Sequence, residues 1–445
     1  MKRASPGAAI AASLFVPALA LWGSLAAAEP APILPPVTPP LVRETAPHPC
    51  DPGKPWAGGL DPHRFELAGF PIIGGNSDIG FQFGGAATLT RFCDGVLPYL
   101  WNVDLLLSAS AKNESGLSLV QQSHVLRLDA PDLFDGRMRM DGRASFQRTI
   151  NEGYYGLGNA SSAALPTGAT LGRQFQYLQQ EGRARFIVRV HTHTPFDLAL
   201  GANLRYESPQ SYSGSKLADD VATPQNGATA IRGVDPAALG GLAVGAFYDT
   251  RDSEFITTTG VFYQVGLGGT VGSADGIGYG NASAILAHYA PIVGPVIFAN
   301  RLVTSFSFGN VPFYDLQQGG TFEPQYLFGG ETGVRGVPNG RYAGKVMVAS
   351  NTEIRATLPR FTIFKQRLRF GTTAFFDAGR VWQDYSFNPA VDGRTLGLKY
   401  GIGGGVFLQW GEAAIFRVEA AYSPDAVAEN PGFPVGIYVS DGLMF

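Results

Sequence analysis

The chain has 445 residues and a formal net charge of −3, with charged side chains at 16%, where an average soluble domain carries about 25%. It holds 58 glycines and 12% aromatic residues. A slightly acidic balance excludes a nucleic-acid binder. The two cysteines, Cys50 and Cys93, do not have the spacing of a zinc site.

Lys2 and Arg3 precede an apolar run from Ala8 to Ala20, and Ala26-Ala27-Ala28 follows it. This order reads as a signal peptide over residues 1–28, cleaved before Glu29. The apolar run is too short for a spanning helix, and no run of about 18 apolar residues occurs later. An exported chain that is rich in Gly and aromatics, poor in charge and without a hydrophobic helix points to an all-β transmembrane barrel. A secreted β-sandwich is the competing reading.

Residues 29–66 are Pro-rich, with Pro30, Pro32, Pro35, Pro36, Pro39 and Pro40 among them. Proline at this density permits neither helix nor strand, so the segment reads as an extended periplasmic arm. It is too short to bury a core of its own. The barrel is expected over residues 67–445.

From there the sequence alternates with period two between turn signals. Trp101, Val103, Leu105 and Leu107 share one face of a strand, with Asn102, Asp104 and Ser108 on the other. Met138, Met140, Ala144 and Phe146 alternate with Arg137, Arg139, Asp141 and Arg143. Phe186, Val188 and Val190 alternate with Arg185 and Arg189, and Leu204 and Tyr206 with Arg205 and Glu207. Short connections, such as 131–136, 194–197 and 291–295, take turns with longer ones near 151–173, 208–239 and 309–344. That regularity is the mark of an outer-membrane barrel with short periplasmic turns and long outer loops. Counting upward gives a 16-stranded antiparallel barrel with both termini in the periplasm. The first strand, near Phe70 to Gly75, is expected to be short and poorly paired because it contains Pro71, Gly74 and Gly75.

The loop before the twelfth strand reads Phe328-Gly-Gly-Glu-Thr-Gly-Val-Arg-Gly-Val337. Such glycine density around one charge suggests backbone packed closely against backbone. On the twelfth strand Asn351, Glu353 and Arg355 share the inward face. On the thirteenth, Arg369, Thr373, Phe375 and Asp377 do. Arg335 therefore meets Asp377 or Glu353 if the loop folds into the lumen, as a plug.

Gly333-Val334-Arg335-Gly336, Asn351-x-Glu353-x-Arg355 and Phe375-x-Asp377-x-Gly379, in this order, resemble the barrel of the outer-membrane assembly and translocation superfamily. That superfamily is BamA/TamA-like and carries the bacterial surface antigen domain. Tyr248-Asp-Thr-Arg-Asp252 and the final Phe445 resemble it too. The resemblance implies that the loop enters the lumen with its arginine on the strand-thirteen aspartate, that the seam between the first and last strands is weak, and that Phe445 is an insertion signal. The barrel pattern and the export signal lead us to expect a Gram-negative outer-membrane location in contact with its lipid, and the sequence has no nucleophile elbow, phosphate loop or paired-carboxylate motif, so neither a cofactor nor an enzymatic role is expected. The sequence departs from the family at Val337, where an aromatic usually follows Arg-Gly. The short 29–66 arm leaves no room for a POTRA domain, so the expected partners are a periplasmic protein or chaperone and unfolded barrel substrates. Homo-oligomerisation is left open.

The inward arginines, Arg183, Arg185 and Arg417 among them, admit two readings: an anion-preferring channel, or ion pairs with Asp141, Glu207, Glu353, Asp377 and Glu419. Cys93 falls in the first periplasmic turn and Cys50 in the arm, so a disulfide pinning the arm under the barrel is expected. His191 and His193 share a strand face but lack further ligands, so no metal site is expected. Three functional readings stand: insertion or translocation of outer-membrane protein or lipid, a passive channel with a basic lumen, and a structural surface-antigen barrel.

Overall fold

The computed structural model describes residues 63–445, apart from 77–79, 94–95, 97, 114–116, 163–172, 193, 224–230, 364–365, 411–413 and 429–433. The expected signal peptide, most of the arm, Cys50 and His193 lie outside the described residues.

The strands are β1 (Phe65–Asn76), β2 (Gly80–Arg91), β3 (Trp101–Asn113), β4 (Leu117–Leu133), β5 (Met138–Gly153) and β6 (Gln176–His191). There follow β7 (Phe196–Ser211), β8 (Ala237–Asp249), β9 (Gly260–Gly272), β10 (Gly278–Val293) and β11 (Val296–Asn310). A small hairpin, β12 (Gln318–Gly319) and β13 (Gln325–Tyr326), sits in the next loop. The wall resumes with β14 (Val346–Thr357), β15 (Phe361–Ile363), β16 (Gln366–Trp382), β17 (Lys399–Trp410), β18 (Ala414–Tyr422) and β19 (Val435–Asp441). β14 and β15 both pair with β16 and are one wall strand interrupted around Pro359, which has no N–H to donate. Sixteen antiparallel wall strands result, as the alternation predicts.

The faces separate cleanly. Along β7, Leu198, Leu200, Leu204 and Tyr206 are exposed, while Asp197, Ala199, Arg205 and Glu207 are buried. A water-soluble sheet would do the reverse. The buried charges look into the lumen and the exposed apolar side chains form an outward band, the pattern of a transmembrane barrel. No helix among the described residues is long and apolar enough to cross a membrane.

The first strand differs from expectation. β1 spans 12 residues, begins at Phe65 rather than 67, and pairs with β2 along its whole length, from Phe65 opposite Arg91 to Asn76 opposite Gly80. Pro71 is tolerated because β1 has a partner strand on one side only. Among the described residues no ladder joins β1 to β19.

One end of the barrel carries short turns. At the other, the long loops close over the lumen and bond to one another. Gly158 N–H donates to Ala343 O (2.7 Å) and Ala160 N–H to Val391 O (2.8 Å), while Gln317 Nε2 donates to Gly153 O (2.8 Å). Among the described residues two α-helices lie in these loops, α1 (Lys216–Ala222), capped by Ser215, and α2 (Pro389–Asp392), capped by Asn388.

Candidate functional site

The loop between β11 and β14 fills the lumen. Its chain turns back on itself at the tip, where Val334 N–H donates to Leu327 O (2.9 Å) and Gly329 N–H to Val334 O (3.2 Å). Leu327, Phe328, Val334, Val337 and Tyr342 form one buried cluster with Val303, Met347, Ala349 and Val381 from the inner faces of β11, β14 and β16. Each large apolar side chain so buried contributes about 1.5–3 kcal/mol, so the plug is a packed element and not a loose surface loop. Val337 fills the position of the usual family aromatic and is itself buried.

Arg335 stands at the plug tip with no solvent exposure. Its Nε donates to Asp377 Oδ2 (2.7 Å) and its Nη2 to Asp377 Oδ1 (3.0 Å), a bidentate pair. The Arg335 main-chain N–H adds a third bond to Asp377 Oδ2 (3.1 Å). Nη1 donates to both oxygens of Glu419 (3.1 and 3.0 Å). Glu353 Oε1 lies 2.7 Å from the same Nη1 as an ion pair without hydrogen-bond alignment. The guanidinium carbon sits 3.4 Å from the Phe375 ring centroid, so one face of the cation is covered by an aromatic ring.

The expected partners are thus both present, and Glu419 on β18 is a third. Sequence reasoning placed Glu419 and Arg417 on an inward face but did not connect them to Arg335. Arg355 Nε donates to Glu353 Oε2 (2.7 Å), and Arg417 Nη1 lies 3.5 Å from Glu419 Oε2. Three guanidiniums and three carboxylates make a neutral cluster. The wider lumen follows the same rule: Arg127 pairs with Asp141 (2.8 Å), Arg183 with Glu181 (2.6 Å) and Arg205 with Asp315 (2.6 Å). The inward arginines are largely an ion-pair network. Arg137, expected to point inward, lies in the exposed 134–137 turn.

Glycines admit the plug. Gly336 has φ of +89°, and its N–H donates to Tyr438 Oη on β19 (2.8 Å). A Cβ on Gly401 of β17 would collide with the Arg335 carbonyl oxygen, so only glycine lets the tip lie on that strand. Gly379 makes room for the Phe328 ring in the same way, since a Cβ there would stand 2.8 Å from the ring edge. Asn351 Nδ2 donates to Gly333 O (2.9 Å), holding the other flank. Gly401 and Tyr438 were not anticipated; the Gly-rich run at 401–405 was the available signal.

Phe445 is placed unexpectedly. β19 ends at Asp441, Gly442 turns the chain at φ +74°, and Met444 is buried. Phe445 then lies inside, its ring 4.7 Å from the Arg355 guanidinium and 5.3 Å from that of Arg301. Its main-chain oxygen accepts from Arg355 Nη2 (2.9 Å). Cys93 is buried and disulfide-bonded. His191 Nδ1 contacts Asp197 Oδ1 at 2.9 Å, and no cluster among the described residues has the ligands to hold a metal ion.

The profile of the Omp85 superfamily domain matches residues 121–432 of this chain. Among solved structures, CdiB from Escherichia coli is similar with a TM-score of 0.51 at 13% identity, over 87% of this chain and 63% of that one. BamA from Haemophilus ducreyi, crystallised without POTRA domains 1–3, aligns with a TM-score of 0.48 at 16% identity, over 85% and 69%. The chain therefore spans less than two thirds of the CdiB chain, and at this identity the likeness is one of fold. No curated protein matches by sequence.

Proposed function

The chain belongs to the Omp85 superfamily, and from that premise we propose that it is an outer-membrane barrel that inserts or translocates protein or lipid, with the Arg335 plug as its gate. The Gram-negative outer membrane is the location that this family indicates. Barrels of this family are transporters or insertases and not enzymes.

The reading rests on where the plug tip is bound. It holds the strands that lead to the unjoined edge: Arg335 holds Glu419 on β18, and Gly336 holds Tyr438 on β19. Undocking the tip therefore releases contacts on the last two strands together. A sheet edge freed in this way pairs with an incoming strand. A periplasmic protein or chaperone would deliver an unfolded barrel substrate to that edge. The expected signal peptide, the insertion-signal role of Phe445 and the Cys50–Cys93 pairing belong to the same proposal.

A passive channel would need a free path, and the plug fills the lumen with buried Phe313, Phe328, Arg335 and Tyr342. The discriminating experiment compares the wild type with Arg335→Ala in planar bilayers and in liposomes offered an unfolded outer-membrane protein. Small, flickering conductance altered by the substitution, together with accelerated substrate folding by the wild type, is the expected result. A large, steady, anion-selective conductance indifferent to Arg335 overturns it.

A further inference from the structure

Arg301 stands beside the plug-tip cluster, whose guanidiniums and side-chain carboxylates pair with one another. Arg301 on β11 is 4% exposed, and its Nε and Nη2 donate only to Asn351 Oδ1 (3.2 and 2.8 Å) and to the Thr332 carbonyl. Among the described residues no side-chain carboxylate stands within ion-pair distance of it, and its Nη1 makes no hydrogen bond to them. The acidic groups of the adjoining strands, Glu353 and Asp377, are committed to Arg355 and Arg335. A buried cation without a hydrogen-bonded carboxylate is costly.

Arg301 lines a cavity of about 310 Å³ between the plug hairpin and the wall. The other guanidiniums there are matched: Arg127 to Asp141 at 2.8 Å, Arg139 to Asp129 and to Glu254 at 2.9 Å each, and Arg251 to Asp249 at 2.7 Å, while Glu323 of the lining pairs with Arg185 at 2.9 Å. Arg189 is held by Asp197 at 2.6 Å. Gln264 on β9 is a second, uncharged donor in the same cavity: it is 5% exposed, and its Nε2 has no partner. β10 lies between the two donors, with Ile285 opposite Gln264 and Ala287 opposite Arg301 in register. Phe262 and Phe322 add apolar wall.

We propose that this cavity is a binding site for a compact amphipathic monocarboxylate. Its carboxylate would take the hydrogen bonds that Arg301 and Gln264 leave unmade, and its aromatic or short aliphatic body would lie on Ile285, Ala287 and Phe262. The volume stands at the small end of the range for ligand pockets. A phosphate monoester, with more charge and three acceptors, fits this pair of donors less well. Because Phe322 belongs to the plug and the opposite wall to the barrel, the ligand would also hold the two together.

The test uses the full chain in detergent micelles, with 4-phenylbutyrate as probe, 4-phenylbutanol as its neutral analogue, and inorganic phosphate. Binding is read by calorimetry and by the shift in thermal midpoint. Phenylbutyrate is expected to bind saturably and raise the midpoint, with the alcohol and phosphate each at least about tenfold weaker, the scale of one charge-assisted hydrogen bond. Arg301→Gln is expected to abolish the preference for the acid over the alcohol. Since Arg301 also touches the plug, Gln264→Leu serves as the second variant: it contacts no plug residue by hydrogen bond and is expected to keep the wild-type midpoint while weakening phenylbutyrate several-fold. Absence of saturable binding, equal affinity for acid and alcohol, or wild-type affinity in Gln264→Leu overturns the proposal. Preference for phosphate reassigns the site to a phosphate ligand and equally overturns it.

Discussion

Arg335 concentrates the energetics of the site in one side chain. Three carboxylates face it with no solvent to share the charge, so Arg335→Met leaves Asp377 and Glu419 buried against a methyl group. Breaking a buried pair from one side costs about 3–5 kcal/mol, a large fraction of the stability of any domain. We expect Arg335→Met to open the plug segment 311–345 to protease in folded barrels, with Arg335→Lys intermediate because an ammonium cannot reproduce the fork on Asp377. Equal protease resistance in all three would remove the cluster from the gate. Gly401→Ala separates charge from space. It keeps every charged group, yet its Cβ would collide with Arg335 O, so the tip must lift. Protection of the plug is expected to fall about as far as in Arg335→Met. Glu353 and Asp377 could be read as partners because period two fixes which residues share a face. Glu419 could not, because nothing local says how far across the lumen the tip reaches.

The plug as an element is held at two places of different chemistry. The tip rests on the neutral cluster around Arg335. Higher up, Asp315 accepts from Arg205 Nη1 and Nη2 (2.8 and 2.6 Å) and from Tyr279 Oη (2.6 Å). Burial pushes the Asp315 carboxyl up, but the Arg205 guanidinium and these hydrogen bonds outweigh it and hold the group below the usual carboxylate range. A carboxyl depressed in the docked state contributes stability that is present in full above its ordinary pKa, about 3.9, and is lost as pH falls through the lower docked value. Plug protection against protease is therefore expected to be flat from pH 7 to pH 5 and to decline below about pH 4. Asp315→Asn is expected to weaken docking at neutral pH and to blunt that acid decline; an unaltered acid decline would remove Asp315 from the docking contact. The existence of this loop, its glycine content and its inward arginine were legible in the sequence. The Asp315 anchor was not, since Arg205 and Asp315 are 110 residues apart and only the barrel's curvature brings β7 to the plug.

At the scale of the whole molecule, the strand number, the alternation of loop lengths and the direction of each face follow from a period-two pattern repeated sixteen times. The β1 edge did not, because Pro71 and three glycines depress local strand propensity while full pairing with β2 overrides it. The arm needs a chemical test: non-reducing mass spectrometry of the intact chain is expected to find Cys50 and Cys93 in one bridged peptide, and two alkylatable thiols would exclude the pinned arm. The membrane band is the property on which every functional statement depends, and a single side chain tests it. Leu200 lies in β7 between buried Ala199 and outward neighbours, 60% exposed. In a soluble sheet an exposed Leu→Arg change is within about 0.5 kcal/mol of neutral. On the lipid face of a barrel, arginine near the midplane costs about 2–4 kcal/mol. Leu200→Arg is expected to lower the yield of heat-modifiable, folded protein in lipid vesicles and to shift its urea midpoint downward, with Leu200→Phe close to wild type. If Leu200→Arg folds as well as wild type, the apolar band is not in lipid, and the outward face of β7 must be covered by protein.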